Sequence, residues 1–136
     1  MSLTALQAAT IITCHEFGAK FIVTGLVRIY QWKGPNKEEW NNSRMIKDLC
    51  AAQMNCSEYS GILAAPLFYL AAVGGQSSSV CPWGAILSVG GHIGYFWSRV
   101  FVGYPTYAVA GMATVRYIGF FLICKKLVGS AFSGGK

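Results

Sequence analysis

Long apolar stretches along the chain are separated by short polar or Gly/Pro-rich breaks. Four such stretches stand out, at about residues 6–32, 44–75, 82–102 and 106–132. The first is the least hydrophobic and carries His15, Glu16, Lys20 and Arg28. A polar loop from Gly34 to Ser43 follows it, Gly74 to Ser79 ends the second stretch, and Gly103-Tyr104-Pro105 makes a tight turn after the third. No stretch alternates polar and apolar residues at period two, so strands are not expected. A helix rises about 1.5 Å per residue against a hydrocarbon core about 30 Å thick, so about 20 residues span it. Each stretch meets that length. Pro82 and Pro105 fall where a first helical turn begins, which tolerates proline. Pro66 falls inside the second stretch, where a kink is expected. The pattern predicts an all-α fold, an integral membrane four-helix bundle, with residues 1–136 forming a single four-span domain.

Composition agrees. Of 136 residues, 54% are hydrophobic and only 12% charged. Soluble domains carry about 25% charged residues, so too few charges exist to wet a surface all round. Abundant aliphatic and aromatic residues exclude disorder. The 5 cysteines are odd in number and scattered, with no CxxC pair, which argues against a disulfide scaffold and against zinc. The net charge of +6 reads as basic flanks at a membrane face rather than as a nucleic-acid surface. Lys33, Lys37, Arg44, Lys47 and Arg99 sit near the face of the first and third loops, while the second loop has no Lys or Arg. This bias places the first loop on the cytoplasmic-equivalent side. Met1 to Ala19 lacks a basic start and a small-residue cleavage site, so no removed signal peptide is expected.

Charged groups within hydrocarbon turn inward, pair, or do chemistry. Glu58, Arg116, His92 and Lys20, one per stretch, all fall roughly 17 to 20 Å from the first-loop face by helical rise. Two readings are open: a structural ion pair of Glu58 with Arg116 or Lys20, and a polar pocket for a small charged ligand. Glu16 lies at i,i+4 from Lys20, a spacing that permits pairing. Asn55 and Glu58 share a helical face that Ala51 and Lys47 continue toward the loop. Asn donates and accepts, and Glu receives an amino group, so the pair suits a zwitterionic peptide-like ligand. Gly90 to Gly94 is a small-xxx-small spacing and predicts a packing seam. His92 within it reads as an interhelical histidine. No metal or nucleotide motif is present. Proton or ion conduction through the polar layer is a more remote alternative.

The segment Gln53-Met-Asn-Cys-Ser-Glu-Tyr59, followed by an apolar run, resembles the second-helix motif of the MAPEG family (membrane-associated proteins in eicosanoid and glutathione metabolism). The similarity is greatest to its leukotriene C synthase and microsomal glutathione transferase branches. Arg99-Val-Phe-Val-Gly-Tyr-Pro105 resembles the end of that family's third helix. The resemblance implies a glutathione-dependent transferase or peroxidase acting on a lipophilic electrophile that enters from the bilayer. It also implies a homotrimer in the endoplasmic reticulum or another organelle membrane, with glutathione as co-substrate between subunits. Asn55, Glu58, Tyr59 and Tyr104, and more loosely Gln53, match glutathione contacts. Arg28 and Arg99 are the candidate thiol activators, because a nearby guanidinium raises the thiolate fraction.

Three positions depart from the family pattern: Ala51 and Gly111 stand where arginines are expected, and Val100 where a tyrosine is. They give the alternative expectation, a catalytically degenerate MAPEG-like accessory subunit packed in a larger respiratory, photosynthetic or other membrane complex.

Overall fold

A computed structural model describes residues 3–33, 36–74 and 80–133. The elements are α1 (Ala5–Phe21), a π-helical segment (Ile22–Val27), α2 (Arg28–Lys33), α3 (Lys37–Asn42), α4 (Arg44–Ala72), α5 (Val80–Phe101) and α6 (Tyr107–Ser133). Among the described residues there is no strand. The all-α expectation therefore holds, and the four predicted stretches match four long helical units. The breaks expected at 34–35 and 75–79 lie outside the described residues.

Local chemistry explains the ends. Thr4 and Gln7 form a reciprocal capping box, with Gln7 N donating to Thr4 Oγ1 at 3.2 Å and Thr4 N to Gln7 Oε1 at 3.0 Å, which satisfies two orphan donors of the first turn. The first helical unit passes from α1 through the π turn into α2. α4 runs unbroken through Pro66. The polar first loop contains a helix that the pattern had not predicted: Glu38 and Glu39 occupy the first turn of α3, where negative charge complements the helix dipole. Gly103, at φ +87°, makes the turn into α6, a conformation that costs glycine little.

α5 is central. It packs most extensively on α6 and also touches α1 and α4, whereas α4 and α6 meet only slightly. Small residues set the α5–α6 approach. A Cβ on Gly91 would run into the backbone of Arg116, one on Gly119 into the backbone of Ser88, and one on Gly84 would lie 3.0 Å from Ile123 Cγ1. The predicted seam is real at Gly94, but Gly91 takes the place expected for Gly90. Gly94 faces Met112, with a Cβ 2.6 Å from its sulfur, while Gly90 is exposed and faces open space. Gly84, Ser88 and Gly91 recur at helical spacing on one face, and Gly90 lies off it.

Two apolar cores result. Ala5, Ala8, Ala9 and Ile12 of α1 pack with Leu63, Leu67 and Leu70 of α4, Ala85 of α5 and Ile123 of α6. Ala19, Ala52, Cys56, Tyr95, Phe96 and Val109 form the second, nearer the first loop. The outer surface is apolar too, with Phe17 76%, Phe101 76%, Phe121 68% and Phe132 87% exposed. Among the described residues, one helix, Tyr107–Phe132, is long and apolar enough to cross a membrane by length and composition. The expectation that all four stretches reach that measure is not met. α1 is 17 residues long before its π turn, and α4 and α5 carry Gln53, Asn55, Ser57, Glu58, Ser88, His92 and Arg99 along their lengths.

Candidate functional site

Polar side chains from α1, α4, α5 and α6 do gather in one layer, between the two apolar cores. Its membership differs from the sequence expectation. Arg116 is 1% and His92 0% exposed. Lys20 and Glu58 are exposed, and neither makes a hydrogen bond or ion pair among the described residues. Their places are taken by Glu16 on α1 and Asn55 on α4. The reason is helical phase: Ala8, Ile12 and Ala19 define the buried face of α1, and Glu16 continues it at i+4 from Ile12, while Lys20 turns outward.

Two subsites flank α4. On the flank facing α1, Glu16 Oε1 accepts from Gln53 Nε2 at 3.2 Å and from the Ser57 hydroxyl, and Gln53 also donates to Ser57 Oγ at 2.7 Å. Glu16 thus bonds across to α4, and the expected Glu16–Lys20 pair does not form. Beside it the His15 and His92 rings meet edge-on at 5.5 Å, and His15 meets Phe96 at 5.2 Å.

On the flank facing α6, Arg116 Nη1 donates to Asn55 Oδ1 at 3.0 Å. Its guanidinium lies 3.9 Å from the Tyr59 ring centroid, 4.6 Å from Tyr95 and 5.5 Å from Tyr117. The Tyr59 and Tyr117 hydroxyls share a hydrogen bond of 2.7 Å. Aromatic faces compensate a desolvated cation, which lets Arg116 be buried without a carboxylate. The anticipated Glu58–Arg116 ion pair is therefore absent, replaced by a neutral amide and three rings.

Toward the first-loop end, Asp48 lies 3.4 Å from Arg44 Nε and 3.7 Å from Arg99 Nε. Arg99 Nη1 donates to the Tyr95 hydroxyl at 2.9 Å, and its guanidinium sits 5.1 Å from the Tyr104 ring. Arg44 Nη2 donates to the Val102 carbonyl at 2.7 Å, which ties α4 to the turn after α5. Tyr95 joins the α6-facing subsite to the first-loop end, taking Arg99 on its hydroxyl and Arg116 on its face.

Of the residues singled out in sequence, Asn55, Tyr59, Arg99 and Tyr104 enter this connected system along the lightly packed α4–α6 edge. Glu58 lies on the same side of α4, three residues from Asn55, with its carboxylate free. Gln53 does not join them, because it occupies the opposite flank of α4 against Glu16. Arg28 is exposed at the start of α2 and forms no hydrogen bond or ion pair with them among the described residues. Sequence reasoning missed Asp48, Tyr95 and Tyr117. Asp48 was legible, being one turn from both Arg44 and Ala51 on the polar face of α4. Nothing in the sequence distinguished Tyr95 or Tyr117 from the chain's other aromatic residues.

Gly111, where the resemblance leads one to expect an arginine, is exposed with open space around it. Among the described residues no group of three or more His, Cys, Asp or Glu is placed to hold a metal ion, and all five cysteines are free. No family model, curated protein or solved structure matches the chain.

Proposed function

We propose that the protein is a membrane-embedded, MAPEG-like helical bundle that binds glutathione along the α4–α6 edge and adds its thiolate to a lipophilic electrophile. The observation that carries this reading is the joint placement of Asn55, Tyr59, Arg99 and Tyr104 in one bonded system beside the free carboxylate of Glu58. Glu58 supplies an acceptor for the ligand's amino group. Arg99, stacked near Tyr104 at the first-loop end, is the favoured thiol activator. A guanidinium stabilises the thiolate, the thiol proton leaves to solvent, and sulfur forms the new bond to the electrophilic carbon as that carbon's leaving group (a halide, for an aryl halide) departs with its bonding electron pair. The exposed aromatic surface supports a bilayer setting, where an apolar second substrate is concentrated. Glutathione as co-substrate, a homotrimeric assembly, the organelle membrane and the cytoplasmic-equivalent first loop belong to the same proposal.

The test is a thermal-shift titration of detergent-purified protein with glutathione, followed by conjugation of a generic aryl electrophile. A ligand that binds only the folded state raises apparent stability, by about 2.7 kcal/mol at 100 times its Kd. No shift at millimolar glutathione ends this reading.

A second reading has its own observation. The Arg116 guanidinium is bound within the chain, and Gly111 supplies no cation at the position where the resemblance expects an arginine. On that basis the protein is a catalytically inactive accessory subunit, its aromatic surface packed against neighbours in a larger complex. Mild detergent extraction discriminates: co-migration with a large assembly supports it, and recovery only as a small homo-oligomer counts against it.

A further inference from the structure

Arg116 is 1% exposed and donates from Nη1 to Asn55 Oδ1 at 3.0 Å. A guanidinium has five N–H donors and no acceptor. Asn55 can therefore meet it only with its carbonyl oxygen, and the amide nitrogen must turn away. This polarity follows from the chemistry of the two groups. The arrangement is held firmly, because Tyr59 and Tyr95 lie 3.9 Å and 4.6 Å from the guanidinium and Gly91 abuts the Arg116 backbone. Asn55 is half-buried, and its amide nitrogen makes no hydrogen bond among the described residues. Three residues on, Glu58 is exposed and, ionised, can only accept. The open flank of α4 thus presents a donor followed by an acceptor.

We infer that Arg116 is a positioning residue that fixes the Asn55 amide with its carbonyl oxygen inward, so that what Asn55 offers a ligand is a hydrogen-bond donor. Arg116 acts through Asn55 and does not itself meet the ligand. The inference rests on the glutathione reading above and adds a residue and a polarity to it.

Glutathione affinity and apo melting temperature are measured together for wild type, Asn55→Asp, Arg116→Lys and Arg116→Met. Asn55→Asp gives Arg116 a carboxylate partner but removes the outward donor. Its apo melting temperature is expected to hold or rise, while its Kd for glutathione rises at least about tenfold, the scale of one lost hydrogen bond to a charged group. Arg116→Lys keeps a donor for the Asn55 carbonyl and is expected to bind within about threefold of wild type. Arg116→Met frees the amide to rotate and is expected to lose about tenfold. A merely structural Arg116 would lower stability and affinity in parallel. Wild-type binding with unchanged affinity in Asn55→Asp overturns this inference alone, and so does an Asn55→Asp protein that melts lower or fails to fold. A wild type that does not respond to glutathione overturns the underlying reading as well.

Discussion

Gly91 of α5 lies directly against the backbone of Arg116 of α6, with no room between them for a Cβ. Arg116, buried in the polar layer, is therefore seated by the absence of a side chain on the neighbouring helix. Gly91→Ala must push α5 and α6 apart, because the obstacle is backbone. We expect a loss of about 1–3 kcal/mol or more, the range for overpacked cores, read as a lower melting temperature in detergent. Gly90→Ala is the control: its Cβ enters open space, and replacing a mid-helix glycine should stabilise by about 0.5–1 kcal/mol.

The turn between α5 and α6 makes a similar demand. Gly103 has φ +87°, and a Cβ there would occupy the position of the Arg44 guanidinium. Gly103→Ala should cost about 1–3 kcal/mol through left-handed backbone strain, with loss of the Arg44–Val102 bond. Because that bond ties α4 to the turn, amide exchange at 103, 104 and 106 should rise more than in the helix centres.

Asp48 serves two arginines, at 3.4 Å and 3.7 Å. Asp48→Asn removes the charge but keeps the shape. The Arg99 side chain is 19% exposed, so loss of its counter-charge should cost about 1 kcal/mol, more than a freely solvated surface pair would. The exposed Arg44 contributes little to that figure. High salt should weaken the wild type more than the variant, and comparing melting temperatures at two ionic strengths checks this.

The apolar core and the apolar surface should respond in opposite ways. Ile12 is fully buried among Leu63, Leu67 and Ala85, so Ile12→Ala should cost about 2–5 kcal/mol as transfer and cavity terms add. Phe17, five residues on, is 76% exposed. Phe17→Ala should change the detergent-solubilised fold by no more than about 0.5 kcal/mol. A substantial loss of assembly size in that variant would identify α1 as a subunit contact.

Much of the fold was legible along the chain. Apolar runs bounded by Gly, Pro and polar clusters specify helices and their approximate ends, since local hydrogen bonding and burial periodicity depend on neighbouring residues alone. The polar level halfway along the bundle was legible as well, because depth follows from counting residues along a helix. The Asn55 and Tyr59 neighbourhood could be singled out for the same reason.

Which polar residues face inward was decided only in three dimensions. Helical phase is set by contacts with other helices, and it turned Glu16 and Asn55 in while leaving Lys20 and Glu58 out. It split Gln53 from Asn55, moved the glycine seam from Gly90 to Gly91, and gave Arg116 an amide and three tyrosine rings in place of a carboxylate. A sequence fixes where along its axis each helix carries a charge. The rotation of that helix about its axis is a property of the packed bundle, because it is the total burial of all four helices that selects it.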